Sequence, residues 1–383
     1  MMQAQFTEFS DEQLLFKEQI DRFVDSEIRP HVRQWEEEQK CPQEIFRKLA
    51  DLDCLATGFP EELGGAGGIT EFLLMVESLA ASGAAGIALS VYVHTALACA
   101  AIEKLATDEQ KERYLIPALK AEKLGCWAYA EPNAGADITA VQCQAKADGD
   151  DYILNGSKLY ITNGTFADFV VLVARTSSEP GLKGISLFIV DKDTPGFTRN
   201  EMKKLGMHSS EMAELVFEDC RIPKSQLLGP EHAGFRSAIA VLSKGRAVAA
   251  AFACGLAREA LRQTIEHVNT RISAGKPLSS QQFIRFTVAD MGMKLEAARA
   301  MTYSAARLID AGKPFDTECS MAKLFATESA TWICERALHL HGAHGYMMES
   351  DLQRFYRDCK VLELGEGTSE IQREMISMAL LQS

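Results

Sequence analysis

The chain has 383 residues, enough to bury a large core and to divide into two or three folding units. Hydrophobic residues make up 47% and charged residues 24%, which is typical of a globular protein and excludes a disordered one. Lys and Arg total 40 against 53 Asp and Glu, and the resulting charge of −13 argues against nucleic acid as a partner.

Ten cysteines are scattered singly and form no CxxC pair, so neither a zinc ribbon nor a thioredoxin-like motif is indicated. Most of them stand beside apolar residues, which predicts buried free thiols in a reducing cytosol. The first residues, MMQAQFTEFSDEQ, contain neither a basic signal-peptide region nor an Arg-rich transit pattern. We therefore expect a cytoplasmic protein.

The first third of the chain has the pattern of successive helices. Ser10 and Gln13 are spaced as a capping box for a first helix, whose apolar face we expect to end at Pro30. The uncharged segment from Ser82 to Ile102 imitates a membrane span. Its Gly, Ser, His and Thr residues instead favour a buried helix, and no membrane association is predicted.

The pattern changes near residue 123 and again near residue 229. Between these points, β-rich runs alternate with Gly, Pro and Ser, and Asn155-Gly156 predicts a hairpin turn. Three long helical patterns follow. We therefore expect an α+β fold with an N-terminal helical domain (1–122), a middle β domain (123–228) and a C-terminal four-helix-bundle-like domain (229–383). A cleft between such domains is a typical site for a large cofactor.

Glu366 stands between Gly365 and Gly367, just before the expected start of a helix. The two glycines could simply form a turn, with Thr368 or Ser369 capping that helix. They could also let the backbone approach a ligand and aim the carboxylate into a cavity. This stretch alone leaves both interpretations open.

Four stretches together resemble signature regions of the acyl-CoA dehydrogenases of the short- or medium-chain type. They are WAYAEPNAGADITAV (127–141), NGSKLYITNG (155–164), HLHGAHGY (339–346) and RDCKVLELGEGTSEIQR (357–373). The resemblance implies an FAD enzyme that oxidises an acyl-CoA thioester to the enoyl-CoA, with a base taking the α-proton and flavin N5 receiving hydride. It also implies a homotetramer or homodimer that passes electrons to an electron-transfer flavoprotein.

The resemblance assigns Glu366 as the catalytic base. Some relatives carry the base immediately before the arginine of SKGRAVAAA, where this chain has Gly245, which cannot accept a proton. The residues implied to contact substrate are Ala136, Ser243, Arg246 and Gly367. The residues implied to bind FAD are Trp127, Tyr129, Ala130, Gly135, Tyr160, Ile161, Thr162, Arg271, Gln282, His339, Gly342, Thr368 and Glu370.

Some positions depart from the family pattern. Ala130 replaces a threonine that bonds the flavin, Ala136 a serine near the thioester carrier, and His339 a glutamine. An alternative is therefore a dehydrogenase or oxidase acting on an acyl-carrier-protein thioester in biosynthesis. A DNA-associated flavoprotein of the same fold is a further alternative, which the net charge disfavours.

A histidine cluster close to the C-terminus could suggest a metal site. His341 and His344 are three residues apart, with His339 nearby. Because no Cys or acidic residue stands at a suitable spacing, we predict no metal there.

Overall fold

The computed structural model describes residues 7–179 and 181–381, except for the side chains of residues 235–238, 240 and 241. The N-terminal part is helical, as predicted. Its α-helices are α1 Asp11–Phe23, α2 Val32–Glu38, α3 Glu44–Ala50, α4 Ile69–Ala80, α5 Ala85–Tyr92, α6 Ala100–Leu105, α7 Asp108–Gln110 and α8 Ile116–Leu119.

The capping box at the start of α1 is confirmed. The Gln13 N–H donates to Ser10 Oγ over 3.2 Å, and the Ser10 N–H donates to Gln13 Oε1 over 3.1 Å. The expectation that Pro30 ends the helical path is wrong. A π-helical turn, Val24–Ile28, and a 3₁₀ turn, Arg29–His31, carry the chain from α1 into α2. The tighter 3₁₀ turn accommodates the missing proline N–H.

The uncharged segment is a buried helix, as predicted. A π-helical turn, Val93–Cys99, joins α5 to α6 and makes a continuous stretch, Ala85–Leu105, that is long and apolar enough to cross a membrane. Inside the protein, however, 83% of its most apolar window is buried. This segment is therefore a central packing element of the fold.

The middle of the chain forms one twisted sheet. Strand β1 pairs with β4, and the other strands run in the order β6-β7-β3-β2-β4-β5-β8. The strands are β1 Gly125–Ala128, β2 Gln144–Asp148, β3 Asp151–Thr162, β4 Phe169–Arg175, β5 Ile185–Asp191, β6 Phe197–Glu201, β7 Met212–Pro223 and β8 Leu227–Leu228.

The predicted hairpin turn at Asn155-Gly156 is wrong, because both residues lie inside the continuous strand β3. The turn is two residues long and precedes β3, since Asp148 pairs with Asp151. Gly156 marks a break in the pairing of β3 with β7, and a Cβ at this position would lie 2.8 Å from Cys143 Cα. The glycine therefore permits close backbone approach within the sheet.

The C-terminal part is a helical bundle, and its three predicted long helices are confirmed. Its elements are α9 Gly234–Thr270, β9 Ile272–Ser273, β10 Lys276–Pro277, α10 Gln282–Asp310, α11 Asp316–Leu340, α12 Ala343–Tyr346, α13 Asp351–Leu364 and α14 Ser369–Leu381. Helix α9 packs against α10, α11 and the N-terminal α4. At the α4 contact, a Cβ on Gly255 would lie 2.3 Å from the Glu77 carbonyl oxygen, so small residues set this close approach.

All ten cysteines are free and buried, as predicted.

A buried ion pair fixes the loop that follows β1. Lys158 Nζ on β3 lies 2.7 Å from Glu131 Oε1, and their side chains are 0% and 5% exposed. The same carboxylate accepts the N–H groups of Gln142 and Cys143 over 2.7 and 3.0 Å. Glu131 therefore ties both ends of the loop 129–143 to the sheet.

We expect Glu131→Ala to lower the free energy of unfolding by about 3–5 kcal/mol, because it leaves a buried ammonium without its partner. The matched control is Asp148→Ala, which breaks the exposed pair with Arg221 and should cost at most about 1 kcal/mol. Urea unfolding followed by circular dichroism measures both. Equal losses in the two variants would contradict the proposed importance of the buried pair.

Candidate active site

Glu366 lies in the short loop between α13 and α14, in a left-handed backbone conformation with a φ of 56°. Gly367 follows with a φ of 84°. Thr368 Oγ1 accepts the Ile371 N–H over 3.4 Å at the start of α14. The loop is therefore a turn with a Thr368 cap, and it also places a non-glycine residue in a conformation that L-residues avoid.

The Glu366 carboxylate packs against Gly245 of α9. A Cβ at position 245 would lie 2.7 Å from Glu366 Oε2 and 2.5 Å from the hydroxyl oxygen of Tyr92, at the end of α5. No side chain larger than hydrogen fits there without a shift. Position 245, where some relatives carry the base, is thus the surface against which the Glu366 carboxylate packs; we call it the floor of the site.

The surroundings of the carboxylate shift its proton affinity. Burial raises the pKa of Glu366 above its ordinary value, while the Tyr92 hydroxyl, Arg246 and Lys323 oppose this rise. Burial and the neighbouring Glu366 carboxylate raise the pKa of Tyr92 well above its usual range. A base with a raised pKa is suited to accept a proton near neutral pH.

Two residues of this site, Tyr92 and Lys323, escaped the sequence analysis. Both are buried, with exposed fractions of 4% and 0%. Lys323 offered a signal, because a lysine within the apolar pattern MAKLFAT must be buried or snorkel. Tyr92 offered none, since an aromatic residue in an apolar helix indicates ordinary core packing.

Arg246 follows Gly245 on α9 and is largely buried. Its Nη1 donates to Ser320 Oγ over 3.4 Å and lies 4.0 Å from Asp316 Oδ1, both on α11. Burial lowers the pKa of Arg246, and the carboxylates of Asp316 and Glu366 oppose that effect. Ser243 is buried on the same helix. Ser243 and Arg246 thus lie on the same helix as Gly245, which contacts the Glu366 carboxylate.

A second group of predicted residues shares a face of the β domain. Tyr160 lies in a bulge of β3 with a φ of 63°, and its side chain is 60% exposed. The loop after β1 is bonded to this strand, because the Leu159 N–H donates to the Ala130 carbonyl over 2.8 Å and Lys158 Nζ donates to the Tyr129 carbonyl over 3.0 Å. Bulges re-aim side chains beside functional sites.

This face has the chemistry to hold a flavin ring. The bulge offers an aromatic plane at Tyr160, and the Tyr129 hydroxyl donates to the Gly135 carbonyl within the same loop. Gly135 and Ala136 are exposed, whereas Trp127, Ile161 and Thr162 form the buried support behind the face. An exposed, rigidly held aromatic residue next to an open glycine loop fits a planar cofactor.

A third group lies at the far end of α9. Arg271 is exposed just after that helix, and its carbonyl accepts the Leu278 N–H over 2.9 Å. The β9–β10 hairpin then leads the chain to Gln282 at the start of α10. His341 stacks on His267 with ring centroids 4.0 Å apart, which brings the end of α11, with exposed His339 and Gly342, to the same place.

The charge at this end is positive. Burial lowers the pKa of His267, and the neighbouring His344 and Arg271 add to the effect. Within the described part of the chain, Arg271 forms no ion pair. An unpaired guanidinium beside histidines suits phosphate groups. Among the described residues, no group of three His, Cys, Asp or Glu side chains could hold a metal ion.

The third group lies far from Arg246 along α9. Arg246 and Arg271 are separated by 25 positions along a straight helix, which corresponds to about 37 Å. Thr368 and Glu370 lie at the N-terminus of α14, close in sequence to the base and not to Arg271.

Comparison with known proteins agrees with this geometry along the whole chain. Family models for the N-terminal, middle and C-terminal domains of acyl-CoA dehydrogenases match residues 10–122, 126–220 and 232–381. The chain belongs to the acyl-CoA dehydrogenase family. The resemblance inferred from the four motifs is therefore confirmed, and so is the three-part fold.

Individual relatives cover nearly the full length. The human mitochondrial short-chain specific acyl-CoA dehydrogenase is 40% identical over 94% of this chain and 88% of its own. The butyryl-CoA dehydrogenase of Megasphaera elsdenii superposes with a TM-score of 0.94 at 36% identity, covering 98% of this chain and 99% of that one. A chain from a structure described under the electron transferring flavoprotein of Acidaminococcus fermentans superposes with a TM-score of 0.95 at 36% identity. The match covers 98% of this chain and 99% of that one.

Family membership settles the class of chemistry. The protein is an FAD-dependent oxidoreductase that dehydrogenates acyl-CoA thioesters, as predicted. The acyl-carrier-protein alternative is not favoured.

We expect Gly245→Ala to slow flavin reduction by acyl-CoA about 10²-fold with FAD still bound. The added methyl must push the Glu366 carboxylate away, and a displacement of about 1 Å commonly has an effect of that size. Stopped-flow absorbance measures the rate. The matched control is Gly292→Ala in α10, where a Cβ meets nothing within 4 Å and the rate should not change. A normal rate in Gly245→Ala would contradict the importance of this contact for the position of the carboxylate.

Proposed function

We propose that Glu366 is the base that removes the α-proton of an acyl-CoA thioester. The observation that carries this proposal is the contact of its carboxylate with Gly245, beside Tyr92 and near Arg246. Burial raises the pKa of a carboxylate in that position, which suits proton abstraction. The left-handed backbone conformation at Glu366 aims the side chain into the space above α9.

The backbone of the same loop supplies a donor for the thioester carbonyl. In the described part of the chain, the Glu366 N–H donates no hydrogen bond to protein. A free N–H beside the base can therefore bind the carbonyl oxygen as negative charge develops there. Arg246, held by Ser320 and Asp316, adds a fixed positive charge to the same region.

The β-domain face holds the flavin ring. Bound FAD accepts the β-hydrogen as hydride. Tyr160 presents its exposed ring to the isoalloxazine, and the Gly135 loop lets backbone amides approach it. Ala130 lacks a hydroxyl at this face, so Thr162 and backbone groups must supply the polar contacts.

The phosphate end of FAD is bound by a second copy of the chain. Arg271, grouped with Gln282, His339 and Gly342, lies about 37 Å along α9 from Arg246, which places this group well away from the substrate region of its own chain. Assembly of two or four identical chains can bring this cationic end to a partner's cofactor. This supports the homodimer or homotetramer expected from the sequence.

The acyl group is short, and butyryl-CoA is the proposed test substrate. This follows from the short-chain specific and butyryl-CoA-oxidising relatives. An electron-transfer flavoprotein is the proposed acceptor, in line with the A. fermentans match. The ten free, buried thiols support a reducing cytoplasmic location.

We expect Glu366→Gln to keep the FAD spectrum and to bind butyryl-CoA, yet to reduce flavin about 10²–10⁴-fold more slowly than the native protein. The amide has nearly the same size but cannot accept the α-proton. Anaerobic flavin bleaching gives the rate, and a binding titration gives the affinity. Glu374→Gln, an exposed change on α14, should behave as the native protein. Native-like bleaching by Glu366→Gln would refute the assignment.

We expect Arg271→Ala to weaken FAD binding roughly 10- to 100-fold, because a charge-assisted bond to phosphate contributes about 1.5–3 kcal/mol. Equilibrium dialysis of the apoprotein with FAD measures this change. Arg22→Ala, another exposed arginine on α1, is the control and should retain native affinity. Equal affinities in the two variants would remove Arg271 from the cofactor site.

A further inference from the structure

Lys323 is a fully buried lysine on α11, directly beneath the loop that carries Glu366. Its exposed fraction is 0%, and it takes part in none of the ion pairs within 4.0 Å in the described part of the chain. Its Nζ donates instead to two backbone carbonyls, that of Gly367 over 2.7 Å and that of Glu363 over 3.4 Å. A buried ammonium bound only to carbonyl oxygens requires a specific explanation.

The loop needs such an anchor. Glu366 and Gly367 are consecutive left-handed residues, a conformation that persists only when surrounding groups hold it. The Gln372 side chain donates to the carbonyls of Glu366 and Gly367 over 2.9 and 3.1 Å. Lys323 binds the Gly367 carbonyl from the other side. Together these two side chains fix the peptide planes on either side of Gly367, and hence the direction of the Glu366 side chain.

The location of the ammonium also has an electrostatic consequence. Glu363 and Leu364 end α13, so the negative end of that helix dipole lies beside the base and disfavours its ionised form. Lys323 places a positive charge among these carbonyls and offsets that effect. The titratable or charged groups around Glu366 are Tyr92 from α5, Arg246 from α9 and Lys323 from α11; those around Lys323 also include Glu363 and Glu328.

We propose that Lys323 is a positioning residue for the base: its ammonium holds the Gly367 carbonyl, aims the Glu366 carboxylate at the floor formed by Gly245, and keeps that carboxylate ionised. This inference rests on the proposed role of Glu366. Lys323 lowers the pKa of Glu366, opposing burial, and burial lowers the pKa of Lys323 to about 8. The cation is therefore present at neutral pH.

The test compares Lys323→Met, Lys323→Gln and Lys323→Arg as holoenzymes. Butyryl-CoA is the reductant, and flavin reduction is followed across pH 5–9. Without the cation, the pKa of Glu366 rises, the base stays protonated to higher pH, and the rate falls as pH drops through that higher value. In the plot of flavin-reduction rate against pH, the acid limb is the region where the rate falls as pH drops. We expect the acid limb of the Met and Gln variants to move up by about one pH unit or more, which lowers the rate near that limb about tenfold. Lys323→Arg should keep the limb near its native position.

Lys360→Met is the matched control. This lysine on α13 is 51% exposed and contacts Glu363, so its charge is screened by solvent and the acid limb should not move. An unmoved limb in Lys323→Gln overturns the proposal, and a lower rate without that movement reduces Lys323 to a packing role. If Lys323→Met loses FAD, the Arg and Gln variants decide the outcome.

Glu366→Gln, measured in parallel, separates the two proposals. If it reduces flavin normally, the base assignment fails and the role of Lys323 fails with it. If it is inactive while Lys323→Gln matches the native pH profile, the base stands and the inference about Lys323 alone is wrong.

Discussion

The contact between the Glu366 carboxylate and Gly245 is the constraint on which the site depends. It is accommodated by a glycine on a long helix, since a Cβ there would lie 2.7 Å from the carboxylate oxygen and would make it shift. It also requires a left-handed backbone at Glu366, which the loop between α13 and α14 provides. The proposed base therefore comes from the loop between α13 and α14, and the surface it contacts comes from α9. Neither feature has a function without the other.

Placing a carboxylate in this interior is costly, and the fold compensates only in part. Burial favours the protonated form, while Tyr92, Arg246 and Lys323, each from a different helix, favour the ionised form. Full compensation would leave a carboxylate too weakly basic to take an α-proton, and no compensation would leave it protonated at neutral pH. The balance among groups from three helices thus sets the proton affinity of Glu366.

In the β domain, a buried lysine supports the face that carries the exposed Tyr160 ring. The bulge at Tyr160 turns an aromatic side chain outward, and the buried pair of Glu131 and Lys158 holds the neighbouring loop against the same strand. Both the flavin face and the base loop are thus supported by a buried lysine that bonds backbone carbonyls. The cationic end of the bundle near Arg271 lies far along α9 from Arg246, which is why the proposed cofactor site includes a second chain.

The sequence by itself determined the elements whose signals are local. These include the capping box of α1, the three long C-terminal helices, the buried uncharged segment, and the motifs that indicated the family. It misassigned Gly156, because the reason for that glycine is the nearby backbone of Cys143, just before β2. It also missed Tyr92 and Lys323. Only the tertiary structure brings these residues to Glu366. The local pattern can mark Lys323 as unusual, but it cannot name its neighbours, because proximity between helices distant in the chain is set by packing.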